Sequence, residues 1–443
     1  MADGAISDNA AVQAQLDRLS NLSPGRDVLG LERITALLDA LGNPQDKLPP
    51  VFHVAGTNGK GSTCAFLRAA IEAAGYTAHV FTSPHLVRFN ERIRVAGQLI
   101  DDDRLAQALS RVLDNASNIN PSFFEVTATA ALLVFTENPA DAVILEVGLG
   151  GRLDATNVVE KPAVCGIASL GIDHEAFLLS EEDGVPSAPM DRIAFEKTGI
   201  AKKDVPLVTQ RYTPSMTETI ATQASKVAAP IHARGETWDA IAYENALHYR
   251  DIRGKMSLPL PRMAGAHQAD NAALAIAMLR HQHKIHIPES AFAAMMEWTD
   301  WPARLQRLVD GPVTQKLGSK NPIWLDGGHN ADAGAVLGVH FDELDAPVHL
   351  VLGMLSNKDP AAMIAPLLPR LKSIHHVPVP NHDYHSPEAF MASTAKAGLE
   401  VQADEDVAVA LAAITPAHGD HILIAGSLYL AGAVLKANRQ LPV

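Results

Sequence analysis

The chain has 443 residues, 47% of them hydrophobic, which is ordinary for a globular protein and long for a single core, so two domains are expected. Fifty acidic residues against 36 basic ones give a formal net charge of −14, which argues against a nucleic-acid surface and leaves room for small anions held by a few local groups. Cys64 and Cys165 are the only cysteines, so there is no disulfide framework; the N-terminus lacks a basic start followed by an apolar core, and VTATAALLVF is too short to span a bilayer. These features predict a soluble, cytoplasmic protein with neither nucleic acid nor membrane as partner.

Residues 51–67 read VFHVAGTNGKGSTCAFL: an apolar β-prone run, a glycine-rich stretch, then a helix with Phe66, Ala70 and Ile71 on one face until Gly75 stops it. Strand, loop and helix in that order form a phosphate cradle. Successive N–H groups of Gly56, Thr57, Asn58, Gly59, Lys60, Gly61 and Ser62 face an anion, Lys60 reaches the β- and γ-phosphates, and Ser62 touches Mg²⁺. The spacing departs from the usual phosphate loop, because only two residues separate Gly56 from the Gly59-Lys60 pair and Gly61 parts Lys60 from the hydroxyls. The competing reading is a tight strand-to-helix turn.

Short apolar runs alternate with helical patterns along the chain: TAHVFTSP, DAVILEVG, AVCGIASLG and PLVTQ, then PIWLDGGHN, VHLVLGM and ILIAGS after residue 320. This predicts an α/β fold: a phosphate-loop domain with a mostly parallel sheet and a smaller C-terminal Rossmann-like domain, with ligands gathered at the carboxyl edges of the strands. The polar stretch 310–322, DGPVTQKLGSKNP, is the expected linker between domains at 1–309 and 323–443. ETWDAIAYENALHYRDIRGKMSLPLP is expected to be a β-rich excursion closing the first sheet.

At consecutive strand ends stand Ser83, Glu146, and Asp173 with His174. If those strands are neighbours, a hydroxyl, a carboxylate and an imidazole converge on the phosphate loop as a Mg²⁺ cradle; taken singly, each is a turn cap, a strand-end carboxylate or a helix start. EVGLGGRLDATN imitates a dinucleotide fingerprint but lacks the following helix. In RIAFEKTGIAKKD, Glu196 and Lys197 read as a solvated, charged helix end before Gly199. His267, Gln268 and Asn271 precede an Ala-rich buried helix, Asn271 being either a turn former or a side chain reaching a base. Arg304 in WPARLQRL is either an anion clamp or a hinge-surface arginine, and WLDGGHNADAG brings Asp326, Gly327, Gly328, His329 and Asn330 to a strand end of the second domain, which suggests a cleft between domains that closes on substrate.

The segments HVAGTNGKGST, TSPHLVRFNERIRV, FFEVTATAALLVF, LEVGLGGRLDATN, LGIDHE, IAFEKTGI, MAGAHQADNAALA, WPARLQ and WLDGGHN, in that order, resemble the folylpolyglutamate synthase/dihydrofolate synthase family of Mur-type ATP-dependent amide ligases. The loop spacing around Gly61 matches the variant of that family. The resemblance implies an ATP- and Mg²⁺-dependent ligase that adds L-glutamate to dihydropteroate or to the γ-carboxylate of a reduced folate through an acyl phosphate, working as a monomer. It implies that Lys60 holds the β- and γ-phosphates, that Ser83 and Glu146 bind one Mg²⁺, and that Glu146 and His174 bind a second. It further implies that Lys197, in EKTGI where the family usually has EKAGI, is carbamylated, and that Asn271, Arg304, Asp326 and His329 contact nucleotide. Arg88, Phe124 and Asp154 resemble the pterin-binding region. DGGHNADAG stands where DGAHNP is usual, and the stretch from His174 to Glu196 is longer than the typical connection, which reads as a surface insertion. The alternatives are a cell-wall Mur ligase acting on a UDP-sugar, against which stands the short stretch before the loop, and a phosphate-loop nucleotide switch, for which a guanine-reading Asn-Lys-x-Asp is missing.

Overall fold

The computed structural model describes residues 5–22, 29–173, 175–180 and 182–442. They form two compact units, one of residues 1–262 with 268–299 and the other of residues 263–267 with 300–443. The division falls at Thr299/Asp300, ahead of the expected linker. Residues 310–322 pack inside the second unit instead: Asn438 Oδ1 accepts from the N–H groups of Val313 and Thr314, and Asn438 Nδ2 donates to the Val309 carbonyl. Side-chain amide bonds to three backbone groups hold a polar stretch in place that composition alone reads as loose.

The first unit is built on an eight-stranded sheet: β1 (Val51–Ala55), β2 (Ala78–Phe81), β3 (Ile93–Val95), β4 (Gln98–Leu99), β5 (Ala142–Glu146), β6 (Val164–Ile167), β7 (Leu207–Thr209) and β8 (Ile231–Ala233), in the order β4-β3-β2-β5-β1-β6-β7-β8. All pairings from β2 to β8 are parallel, and β3 and β4 add an antiparallel edge. Every residue of β1, β5 and β6 is buried, the mark of central parallel strands covered on both faces, and it explains their unbroken apolar runs. One core cluster joins Val51, Phe81, Val143 and Leu145 to the helices Asp102–Asp114 and Phe123–Thr136; a second joins Ala55, Cys165, Ile167 and Leu207 to Pro189–Thr198 and Pro214–Lys226. The helix Phe123–Thr136 opens with a capping box in which Ser122 Oγ and the Glu125 carboxylate each accept from the other's backbone N–H. No helix among the described residues is long and apolar enough to cross a membrane.

The segment 236–261 does not close that sheet. Its strands β9 (Trp238–Tyr243), β10 (Ala246–Asp251) and β11 (Gly254–Pro259) make a separate three-stranded antiparallel meander. Two tight connections leave each strand paired with its sequence neighbour.

In the second unit β12 (Gln306–Arg307), β13 (Ile323–Leu325), β14 (Val348–Leu352), β15 (Leu371–His376), β16 (Val401–Ala403) and β17 (His421–Ala425) lie in the order β12-β13-β17-β14-β15-β16. Apart from the β12 edge all are parallel. Their core gathers Leu350, Leu352, Leu423, Ala425 and Phe341, so this unit is the expected smaller α/β fold.

Candidate active site

With β1 between β5 and β6, the glycine loop after β1 opens between the exits of its two neighbours. The loop is clamped to the β6 exit: the N–H groups of Thr57 and Asn58 donate to the Ser169 carbonyl at 2.7 and 3.3 Å, and Thr57 Oγ1 donates to the Gly171 carbonyl at 2.8 Å. Gly56, at φ +154°, lies where a Cβ would stand 2.9 Å from Ala168 Cβ; Gly59, at φ +81°, would drive a Cβ into the Asn271 amide. Both glycines are therefore steric requirements.

Gly59 caps the helix Lys60–Ala73 in the left-handed conformation. Lys60 Nζ arcs back over the loop to the carbonyls of Gly56 and Thr57 at 3.0 and 3.1 Å. Ser62 and Thr63 are buried in the first turn, and Thr63 Oγ1 has no hydrogen-bond partner among the described residues. A buried hydroxyl left unmatched beside a helix N-terminus fits an anion with its counter-cation, because each such group costs free energy until something meets it.

Ser83 and Glu146 come together as the strand order requires: Glu146 Oε2, 5% exposed, accepts the Ser83 N–H at 3.2 Å. Glu146 and Lys60 both act on the Cys64 thiol; burial pushes that thiol up, the Glu146 charge adds to this, and Lys60 opposes it. One carboxylate, one ammonium and two hydroxyls thus surround the start of the helix. His174 lies outside the described residues, so the third member of the expected metal cradle is known only by its place in the chain, next to Asp173.

Lys197 departs from its expected solvated position. It is 4% exposed in the last turn of Pro189–Thr198, with its amine 3.5 Å from the Gly150 carbonyl. Burial and then the neighbouring Lys60 charge lower its pKa to about 7, against Asp173, Asp154 and Glu196, which pull the other way. Glu196, 3% exposed, is also not a surface residue; it takes Arg152 and Arg192 as partners at 3.0 and 3.1 Å. Periodicity could not reveal this, because a Glu-Lys pair before a glycine reads the same on a wet helix end and on a dry one.

Asp154 is 2% exposed and its carboxylate is used inside its own loop. Oδ2 accepts from the Leu149 N–H, and Oδ1 accepts from the Thr156 N–H and hydroxyl. Burial pushes the carboxyl up from its ordinary value against those bonds. The Thr156 hydroxyl, whose proton goes to Asp154, in turn meets His53 Nε2 at 2.8 Å, so a fully buried histidine on β1 braces the loop after β5. This residue escaped the sequence reading; its one signal is a titratable group within the apolar run VFHVA. Phe124 is half-buried, 5.7 Å from the Phe81 ring and directly over Gly148, where a side chain would collide with it. Arg88 is exposed at the head of a turn whose N–H groups at Leu86, Val87 and Arg88 all reach Glu91. Asn271 lies within the second turn of the helix His267–His281, rather than ahead of it, and donates to Gln268 Oε1 at 3.1 Å beside Gly59.

Arg304, Asp326 and His329 form their own cluster in the second unit. Ala303 and Leu305 both sit at positive φ, +56° and +44°, an unfavourable conformation for side chains of this kind. Asp326 holds the bend, with Oδ2 accepting the Leu305 N–H at 2.7 Å and Oδ1 the Gly328 N–H at 2.6 Å. Arg304, between the two strained residues, donates to the Ala303 carbonyl, and His329 Nδ1 is 2.8 Å from the Gly327 carbonyl. After the unusual DGGHNADAG, Asn330 caps the helix Ala331–Glu343 in the ordinary way.

Residues 309–437 match the family model described as dihydrofolate synthetase, C-terminal domain. The dihydrofolate synthase/folylpolyglutamate synthase of Bacillus subtilis is 32% identical over 437 residues, covering 92% of this chain and 94% of that protein. The Escherichia coli protein of the same name is 34% identical over 353 residues, 79% of this chain and 78% of its own length. Among solved structures, Escherichia coli FolC in complex with DHPP and ADP superposes with a TM-score of 0.84 at 30% identity, covering 96% of this chain and 97% of that one. Mycobacterium tuberculosis folylpolyglutamate synthase complexed with ADP gives 0.84 at 27%, over 98% and 99%.

Proposed function

The chain belongs to the dihydrofolate synthase/folylpolyglutamate synthase family, and from that premise we propose how its own residues carry out ATP-dependent ligation of L-glutamate to a folate-type acid. The enzyme is a carbon–nitrogen ligase that uses ATP and a divalent metal ion. The observation that carries the residue assignment is the buried, polar mouth of the glycine loop, where Lys60, Ser62, Thr63 and Glu146 converge and one hydroxyl waits for a partner.

The loop amides from Gly56 to Ser62 hold the triphosphate. Lys60 leaves the carbonyls of Gly56 and Thr57 for the β- and γ-phosphates and spreads the charge of the transferring group. Ser83 and Glu146, with His174, are the residues that would hold Mg²⁺, which supplies charge neutralisation for the phosphates. The acceptor carboxylate attacks the γ-phosphorus in line, giving an acyl phosphate and ADP; the amine of glutamate then displaces phosphate. Water must be kept out, since acyl phosphates hydrolyse.

Lys197 is assigned as a carbamate. An amine with a pKa near 7 is substantially neutral at physiological pH, and only the neutral amine adds CO₂. The product is an anion, which reverses the sign of the charge beside Lys60 and suits a site that concentrates cations. Asn271 in the first unit, and Arg304, Asp326 and His329 in the second, are assigned to the nucleotide. Phe124, Arg88 and the loop braced by Asp154 are assigned to the pterin, Phe124 offering an aromatic face. The enzyme is assigned to the cytoplasm, where ATP and L-glutamate are available.

The test is ADP release from ATP and Mg²⁺ with L-glutamate, comparing dihydropteroate and tetrahydrofolate and omitting each component in turn. Turnover with both acceptors establishes both activities in one site. Nucleotide hydrolysis that is indifferent to glutamate and to either acceptor would exclude the ligase and leave a nucleotide switch.

A further inference from the structure

The stretch between Asp173 and the helix Pro189–Thr198, which the sequence reads as a surface insertion, touches the working parts of the site. Its short helix Glu175–Leu178 sends Leu178, 2% exposed, into the core with Ile193 and Ala194. A Cβ on Gly150 would stand 3.1 Å from Leu178 Cδ2. Beyond it, Glu182 Oε2 accepts from Arg152 Nη2 at 2.6 Å and from Arg192 Nη2 at 2.8 Å.

These two arginines are the ones that hold Glu196, and both guanidinium groups lie over the Phe195 ring, at 5.2 and 5.8 Å from its centre. Four charges thus close a ring around one aromatic face. Without Glu182 the ring would contain two cations against one carboxylate, and Arg192, whose side chain is 5% exposed, would be left with a single acidic partner. The ring fixes the loop that follows β5, because Arg152 belongs to that loop and its N–H donates to the Glu196 carbonyl at 2.8 Å. Two residues before Arg152, the Gly150 carbonyl faces the Lys197 amine.

We propose that Glu182 is a positioning residue: through Arg152 and Arg192 this stretch latches the 148–154 loop onto the helix that carries Lys197, and so sets the place of Lys197 and of the Asp154 turn. This rests on the assignment of Lys197 to the reaction. The latch makes a stretch that reads in sequence as a surface insertion part of the site's framework.

The experiment compares Glu182→Gln, which keeps the shape and removes the charge, with Glu182→Asp and with the neighbouring exposed Asp183→Asn as a charge-matched control. Two readouts are taken: steady-state kinetics of ADP release, and hydrogen exchange of amides 148–154 in the full chain. In Glu182→Gln, kcat is expected to fall about fivefold with KM for ATP within about twofold, as for residues that orient others, and the loop amides to exchange about tenfold faster. Glu182→Asp is expected to recover at least half of kcat, and Asp183→Asn to match the wild type. Unchanged exchange in Glu182→Gln overturns the latch whatever the kinetics, and faster exchange with unchanged kcat overturns its positioning role. Absence of acceptor-dependent ADP release in the wild type would instead remove the ligase assignment, while the exchange result still decides the latch.

Discussion

In the first unit the polar groups at the carboxyl edge of the sheet are held in reserve: Thr63 Oγ1 has no partner among the described residues, Lys60 rests on carbonyls of its own loop, and the Lys197 amine is lowered to about 7 in a buried place. In the second unit the comparable edge is already committed, since both oxygens of Asp326 accept backbone N–H groups and Asn330 caps a helix. Groups in reserve cost stability and are therefore the better candidates for chemistry; groups in full use hold a backbone in shape. Substitutions should separate the two edges, activity falling without loss of fold in the first and activity falling with loss of fold in the second.

The largest expected effect is that of Lys60→Ala. Among the described residues its amine donates to two backbone carbonyls, so the fold should melt within a degree or two of the wild type, while turnover drops about a thousandfold through loss of charge stabilisation on the transferring phosphoryl group. Retained ADP release in a folded Lys60→Ala enzyme would break the comparison at its first edge.

Lys197→Met sharpens it further, because here stability and activity should move in opposite directions. The folded amine gives up its proton near pH 7, whereas the unfolded chain keeps it to the ordinary 10.5. The unfolded state therefore binds more protons between those values, and wild-type stability rises with pH across that window; below 7 the cost of burying the cation is constant. Methionine removes the cost, so in CO₂-free buffer, where Lys197 is a plain amine, the variant should melt above the wild type at pH 7, the gap closing toward pH 10.5, while turnover in the presence of CO₂ falls about a hundredfold. In the wild type, turnover should climb as pH rises through about 7, where the amine becomes free to take up CO₂. A variant that melts lower than the wild type at pH 7 would show that the amine is not buried uncompensated.

Asp326→Ala belongs to the committed edge. It strands two backbone N–H groups and releases the bend in which Ala303 and Leu305 are held at positive φ. The second unit should lose roughly 2 kcal/mol of stability, seen as a lower melting midpoint together with weaker ATP binding. Loss of binding at unchanged stability would move Asp326 to the reserve class.

Much of this is legible in the sequence alone. The apolar runs VFHVA, DAVILE and AVCGI announce central parallel strands, and the strands that end at Ser83 and Glu146 prove to be neighbours, with β1 and then β6 beyond them. What was hidden depends on tertiary environment. EKTGI gives the same pattern wet or dry, so the burial of Glu196 and Lys197 could not be read from spacing. Nor could the bonds that tie the Asp154 carboxylate to its own loop be read, because local Asp-to-backbone bonds look no different in sequence from a free acid. The polar stretch 310–322 passed for a linker because the Asn438 side chain that holds it is more than a hundred residues away. The three-stranded meander passed for part of the main sheet because alternation indicates a strand and says nothing about its neighbours.

The smallest expected effect comes from Thr198→Ala, a change that turns EKTGI into the EKAGI that the resemblance of the sequence leads one to expect beside Lys197. Thr198 is 1% exposed and its hydroxyl donates to the Ala194 carbonyl at 2.6 Å, one turn back in the same helix. That bond satisfies the hydroxyl without adding a tertiary tie, since Ala194 O is also where the helix's own ladder ends. Alanine loses the bond and a methyl group, and gains helix propensity and freedom from a buried polar atom, so the balance should stay within about 0.5 kcal/mol. Turnover should be unchanged, because the hydroxyl is bonded within its own helix, whereas the Lys197 amine meets the Gly150 carbonyl. A change in the pH at which turnover climbs, without a change in melting, would mean that the hydroxyl reaches Lys197 after all and belongs with the groups held in reserve.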